Sequence, residues 1–161
     1  MMIWFKKSLI LIIPCWFLIS CGHLDLYENN TPIPGYQWKS GFEPHGSFDI
    51  TDTSALYTII LVLRHTDAYK YNNIWLDIGI QNPGDTMFFQ KVDLQLGQDA
   101  SGWEGSGMND IWEVRKPLNP KPMHLIRAGT FHYAIRQIMR DDPLEHVMSA
   151  GLRIEKKSGN P

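Results

Sequence analysis

Six histidines, His23, His45, His65, His124, His132 and His146, are the first places to look for metal or acid–base chemistry in this sequence. No two of them stand one helical turn apart, and a His-Glu-x-x-His pattern is absent. His65-Thr66-Asp67 sets an imidazole near a carboxylate at what reads as a strand end, where surface exposure alone accounts for both. Glycoside hydrolysis needs two facing carboxylates, and a pair would have to come from Glu104, Asp110 and Glu113. A hard cation takes oxygen ligands such as Asp99, Asp110 or Asp141-Asp142, but the spacing selects none of them. No Gly-x-Ser-x-Gly elbow is present. The residues therefore predict no catalytic group, no metal and no cofactor. One surface remains as a candidate for a ligand or partner: Trp103 in a Gly-rich stretch, with Glu104 beside it and Trp112 nearby. A flat indole stacks on a sugar, packs against a protein, or simply folds its loop onto the core.

The two cysteines carry more information. Lys6-Lys7 precede an apolar run from Ser8 to Ser20, the order of a secretory signal, and the run is too short to span a bilayer, which takes roughly 20 apolar residues. Leu18-Ile19-Ser20-Cys21 resembles the lipobox of bacterial lipoproteins, in which the Cys thiol is diacylated and the Cys becomes the first mature residue. An ordinary cleaved signal is the alternative. Two or three acyl chains anchor stably where one is marginal, at about 0.8 kcal/mol per buried CH₂. With Cys15 in the discarded segment and Cys21 acylated, no thiol is left for a disulfide or a thiolate metal site.

Removing residues 1–20 from the 161-residue chain leaves 141, enough for one domain with a real core. The 15 basic residues less Lys6 and Lys7 leave 13 against 17 acidic, a net charge of about −4. With no basic run, nucleic acid is not an expected partner. Residues 21–44, with three prolines and three of the chain's glycines, read as a lipid-anchored tether whose far end is pinned by Trp38 and Phe42. The domain then spans 45–156, and 157–161 form a polar tail.

Within the domain the periodicity is β. Leu56 to His65 is the longest apolar run of the mature chain and reads as a central strand covered on both faces. Ile74, Leu76, Ile78 and Ile80 alternate with Asn73, Trp75, Asp77 and Gly79, a half-buried strand. In the strand over Thr86–Leu96 the apolar side switches, which predicts a bulge or two apolar neighbours. Gly97–Gly107 reads as a loop with a Gly kink, and Ile111–Arg115 as a short strand. Phe131, Tyr133, Ile135, Gln137 and Met139 share one face, and Leu152 and Ile154 point inward from the closing strand. Seven or eight strands and no amphipathic helix predict an all-β, antiparallel β-sandwich of jelly-roll-like form, with a closed barrel as the alternative.

In this order the mature chain resembles the gliding-motility lipoprotein family GldH of the Bacteroidetes. The matching stretches are Tyr27-Glu28 after the lipobox, Tyr57 to Thr66, and Tyr71 to Leu76. Others are Gly102-Trp103-Glu104-Gly105-Ser106-Gly107 leading to Ile111-Trp112, then Gly129 to Arg140 and Ala150 to Lys156. The resemblance implies an outer-membrane lipoprotein facing the periplasm, without enzymatic activity, held by its N-terminal lipid. It implies partners among other envelope proteins of gliding and type IX secretion. A carbohydrate-binding jelly roll with Trp103 and Trp112 as its platform is the alternative.

Overall fold

A computed structural model of the chain describes residues 25–157. The signal segment, Cys21 and the tail beyond Lys157 lie outside the described residues. In chain order the strands are β1 (Asp25–Pro32), β2 (Gln37–Trp38), β3 (His45–Ile50), β4 (Leu56–Thr66), β5 (Asn73–Gln81), β6 (Phe88–Gln95) and β7 (Gly97–Gln98). They continue with β8 (Gly102–Trp103), β9 (Ser106–Met108), β10 (Ile111–Pro117), β11 (Met123–His124), β12 (Gly129–Gln137), β13 (Leu144–Glu145) and β14 (Val147–Lys157). A single 3₁₀ turn, Pro34–Tyr36, is the only helical element among the described residues.

The fourteen strands among the described residues exceed the expected seven or eight. Eight run six residues or more, and the other six are two- or three-residue bridges inside connections. Such bridges align backbone donors and acceptors without any side-chain period, so a sequence pattern does not reveal them. The larger sheet has the order β1-β14-β4-β10-β9, with β11 also paired to β4, and the smaller has the order β3-β12-β5-β6. All long pairs are antiparallel. Of the eight long strands, the first, third, sixth and eighth share one sheet and the rest the other, a jelly-roll-like interleaving.

The two sheets pack face to face. Tyr57, Ile59, Leu61 and Leu63 of β4 meet Phe131, Tyr133 and Ile135 of β12 and Ile74, Leu76 and Ile78 of β5 in one core. Phe48 stacks on Phe131 at 5.3 Å, and Tyr27 bridges the sheets to Phe48 at 5.9 Å and to Tyr133 at 6.3 Å. β6 pairs with β5 in unbroken register, so the switch of its apolar side is no bulge. Phe89 instead packs on the outer face against the space left by Gly79, with the Arg136 guanidinium 3.9 Å above its ring. Val92 and Leu94 turn inward.

The segment read as a tether departs most from expectation. Residues 25–32 are not a free lead-in but an edge strand, paired with β14 from Asp25↔Glu155 to Pro32↔Ser149. Trp38 then buries completely, its indole N–H donating to Phe42 O at 2.8 Å, and β2 pairs with β13. The polar composition of β1 follows from its position. Its Glu28 belongs to an ion-pair chain on the outer face, running Arg64–Glu113–Arg115–Glu28–Arg153–Glu155 across four strands. Arg115 reaches Glu28 at 3.1 Å by passing over Val62 and Gly151, its row neighbours on β4 and β14. Val62 is thereby fully buried on a face that is otherwise charged, which is how β4 comes to be covered on both sides.

Burial pushes the Glu28 carboxyl up, but hydrogen bonds from Arg153 and Arg115 outweigh it and hold the group at about 2 against an ordinary 4.5. A carboxyl depressed on folding stabilises the fold above its unfolded value and ceases to do so as pH falls through the folded one. Melting temperature should therefore drop as pH falls from about 4.5 to 2, and Glu28→Gln should flatten that part of the profile while lowering stability at pH 7. A variant with the wild-type acid slope would remove Glu28 from the account.

Candidate functional site

The register divides the domain into two ends. β1 begins at the end where β4 starts at Leu56, opposite Lys157, and β3 ends there at Ile50, six residues before Leu56. At the far end stand Thr66, Asn73, Gln95 and Gln137, together with the hairpin of β7 and β8.

Trp103 and Trp112 both sit toward this far end, but not as a shared platform. Trp103 packs edge-on against His65, with ring centroids 4.6 Å apart, and against Tyr69 at 6.2 Å. Gly97 permits this, since a Cβ there would lie 2.9 Å from the indole. Beneath it His65 is fully buried, and its Nδ1 donates to Thr66 O at 2.9 Å. Burial pushes the imidazole below its usual value, and Nε2 has no partner, so this neutral ring serves as packing under the indole. Trp112 lies over Gly107, its cross-strand partner, where a Cβ would be 2.7 Å from the ring. Glu104 is ion-paired with Lys116, and its N–H donates to Leu96 O at 2.7 Å.

Glu113, Asp141 and Asp142, also considered for chemistry, are occupied in the same way. Glu113 sits between Arg64 and Arg115; burial alone raises its carboxyl, but the two guanidinium hydrogen bonds dominate and lower it. That is the reverse of what a general acid needs. Asp141 accepts from the Tyr71 hydroxyl at 2.9 Å, which raises the phenol, and Asp142 accepts from Ser40 N at 2.9 Å and Oγ at 2.6 Å. No three His, Cys, Asp or Glu side chains converge on a metal position among the described residues.

One hollow was not singled out by sequence reasoning. It encloses about 530 Å³ on the outer face of the smaller sheet at the far end, lined by Tyr71, Asn73, Trp75, Lys91, Ile138, Met139 and Arg140. The chain after β12 builds it by continuing along β5: Ile138 N donates to Trp75 O at 3.0 Å, and Trp75 N lies 3.2 Å from Met139 S. Trp75 keeps 43% of its surface exposed. Lys91 and Arg140 enter no ion pair among the described residues. Asn73 donates to Asp93 at 2.7 Å and is thereby held in the wall. Tyr71 also borders a second hollow of about 290 Å³, whose other side is Trp103. An exposed indole, an apolar floor and two cations outside any ion pair suit an occupant that is part apolar and part acidic. The sequence signal existed: a Trp on the polar phase of an alternating strand is a large aromatic turned outward.

Comparison with known proteins agrees with this architecture. The chain is similar to the gliding motility lipoprotein GldH of Flavobacterium johnsoniae, 23% identical over 159 residues that cover 94% of this chain and 98% of the relative. It is equally similar to a gliding motility lipoprotein GldH homolog of Christiangramia forsetii, 23% identical over 144 residues, covering 85% of this chain and 87% of that one. No solved structure matches it. The match to the GldH lipoprotein family runs over residues 25–154, from the first residue of β1 to Ile154 near the end of β14, and the chain belongs to that family.

Proposed function

We propose that this is an outer-membrane lipoprotein, acylated at Cys21 and facing the periplasm, whose domain is a non-enzymatic docking module for other envelope proteins of gliding and type IX secretion. The observation that carries the docking role is the far-end cleft, where Trp75 is exposed beside two cations, Lys91 and Arg140, that enter no ion pair among the described residues. Trp and Arg at the centre of a pocket are the residue types that dominate interface energetics. The engaged state of Glu104 and Glu113 and the burial of His65 support a role without catalysis.

The test is a chromosomal deletion complemented with variants, read as surface gliding and as secretion of type IX cargo. Loss of both on deletion, restored by wild type, is expected, and a deletion strain that glides and secretes normally overturns the proposal. Cys21→Ala should leave a folded domain in the soluble fraction and fail to complement; a soluble form that complements would refute the anchor's role. Trp75→Ala combined with Arg140→Glu should stay membrane-bound and folded yet fail, at a cost of about 2 kcal/mol or more in partner affinity, roughly 30-fold. The exposed indole also keeps a glycan reading in view. That reading is favoured if calorimetric glycan binding is lost in Trp75→Ala and kept in Trp103→Ala.

A further inference from the structure

Because β1 starts at Asp25, only four peptide steps separate it from Cys21, a reach of no more than roughly 14 Å even fully extended. A domain on so short a leash cannot stand away from the bilayer; the end where β1 begins must rest close to it. That end presents apolar side chains with nothing to cover them. Ile126, in the connection between β11 and β12, is 83% exposed, Phe88 at the start of β6 is 73% exposed, and Met123 of β11 is 40% exposed. The register places all three at this end: Phe88 opposite Ile80, next to the last residue of β5, Met123 opposite Tyr57, and Ile126 three residues before Gly129, the partner of Ile50. Met123 and Ile80, the cross-strand partner of Phe88, line one hollow, and Ile126 lines another with His124, the neighbour of Met123 on β11.

The charges around the rim are suited to a headgroup layer. Asp85 is neutralised by Arg127 at 2.8 Å and Asp52 by Lys156 at 2.8 Å, while Lys121 and Lys157 have no carboxylate partner among the described residues. We infer that Phe88, Met123 and Ile126 form a membrane-contacting rim that seats the domain directly on the lipid surface, with its far-end cleft turned toward the periplasm. The inference rests on the reading of Cys21 as the acylated residue. Amphipathic surfaces of this kind bury their apolar groups at the boundary between headgroups and acyl chains.

The test uses the full acylated protein in vesicles of phosphatidylethanolamine and phosphatidylglycerol. With Cys21 blocked by its lipid, an introduced thiol is the sole site for a spin label. Labels are placed by Phe88→Cys, Ile126→Cys and, at the opposite end, Asp99→Cys. Oxygen should collide with the labels at 88 and 126 more often than a water-soluble nickel complex does, with the reverse at 99. Protein that floats with the vesicles but shows water-like labels at 88 and 126 overturns the rim and leaves the anchor standing. Protein that does not float overturns the anchor and the rim with it. Labels at 88 and 126 that are shielded only in native membranes, and not in pure lipid, also overturn the rim, by showing a protein contact there.

Discussion

Gly151→Ala should cost about 3 kcal/mol and free the N-terminal strand. Gly151 lies in β14 between Asn30 of β1 and Val62 of β4. A Cβ added there would stand 1.9 Å from the Asn29 carbonyl oxygen and 2.7 Å from Asn29 C and Asn30 Cα. These are backbone atoms, so no rotamer change relieves the clash; β1 has to move as a whole. Overpacking typically costs about 1–3 kcal/mol, and a clash with backbone belongs at the top of that range. Since 1 kcal/mol is worth roughly 2–4 °C in a domain of this size, melting temperature should fall by roughly 10 °C. Hydrogen exchange should report the cause, with amides of residues 27–32 losing protection before those of β4. Gly41→Ala is the control, because its Cβ would meet nothing within 4 Å. Similar losses in both variants would argue against a specific clash at Gly151.

Trp38→Ala should be larger still, about 3–5 kcal/mol, the usual cost of deleting a fully buried Trp. Against a total stability of about 5–15 kcal/mol this leaves a marginal domain. The indole is completely buried in the core cluster, its N–H satisfies Phe42 O at 2.8 Å, and Gln137 Nε2 reaches the Trp38 carbonyl at 3.4 Å. Trp38→Phe separates the two contributions, since it keeps most of the apolar volume and orphans only the Phe42 carbonyl. It should cost about 1–2 kcal/mol in thermal or urea melts. If Trp38→Ala melts within 1–2 °C of wild type, the strap from Gln37 to Phe42 is not part of the cooperative unit.

These two residues also mark where the sequence could be read and where it could not. The strands with a clean period of two were legible because burial on one face imposes the pattern: Ile74 to Ile80, Phe131 to Gln137, and Leu152 with Ile154 all fall on the predicted faces. β1 was not legible. Asp25-Leu26-Tyr27-Glu28-Asn29-Asn30-Thr31-Pro32 has little apolar period, since its outer side chains answer Arg115 and Arg153 and its place in the sheet comes from backbone pairing with β14. Gly151, which makes that pairing close, looks in the sequence like any small residue in a strand. The site divided in the same way. Trp103 and Trp112 drew attention through the glycines around them, yet Gly97 and Gly107 make room for these indoles to fold onto the neighbouring strands. Trp75, in a strand with no special neighbours, is the one turned outward.

The direction of β1 has a mechanical consequence. With the proposed anchor at Cys21 and the proposed docking at the cleft, the strand runs from the membrane end toward the cleft end, and a pull between membrane and partner would act along its axis. Its seven register pairs with β14 are then loaded in shear, all together, rather than unzipped one after another. Unzipping would need the start of β1 and the end of β14, which lie side by side at Asp25 and Glu155, to be drawn apart, and a force directed from the membrane to the cleft does not do that. An N-terminal edge strand, ordinarily the first element to fray, is in this geometry the one placed to transmit tension.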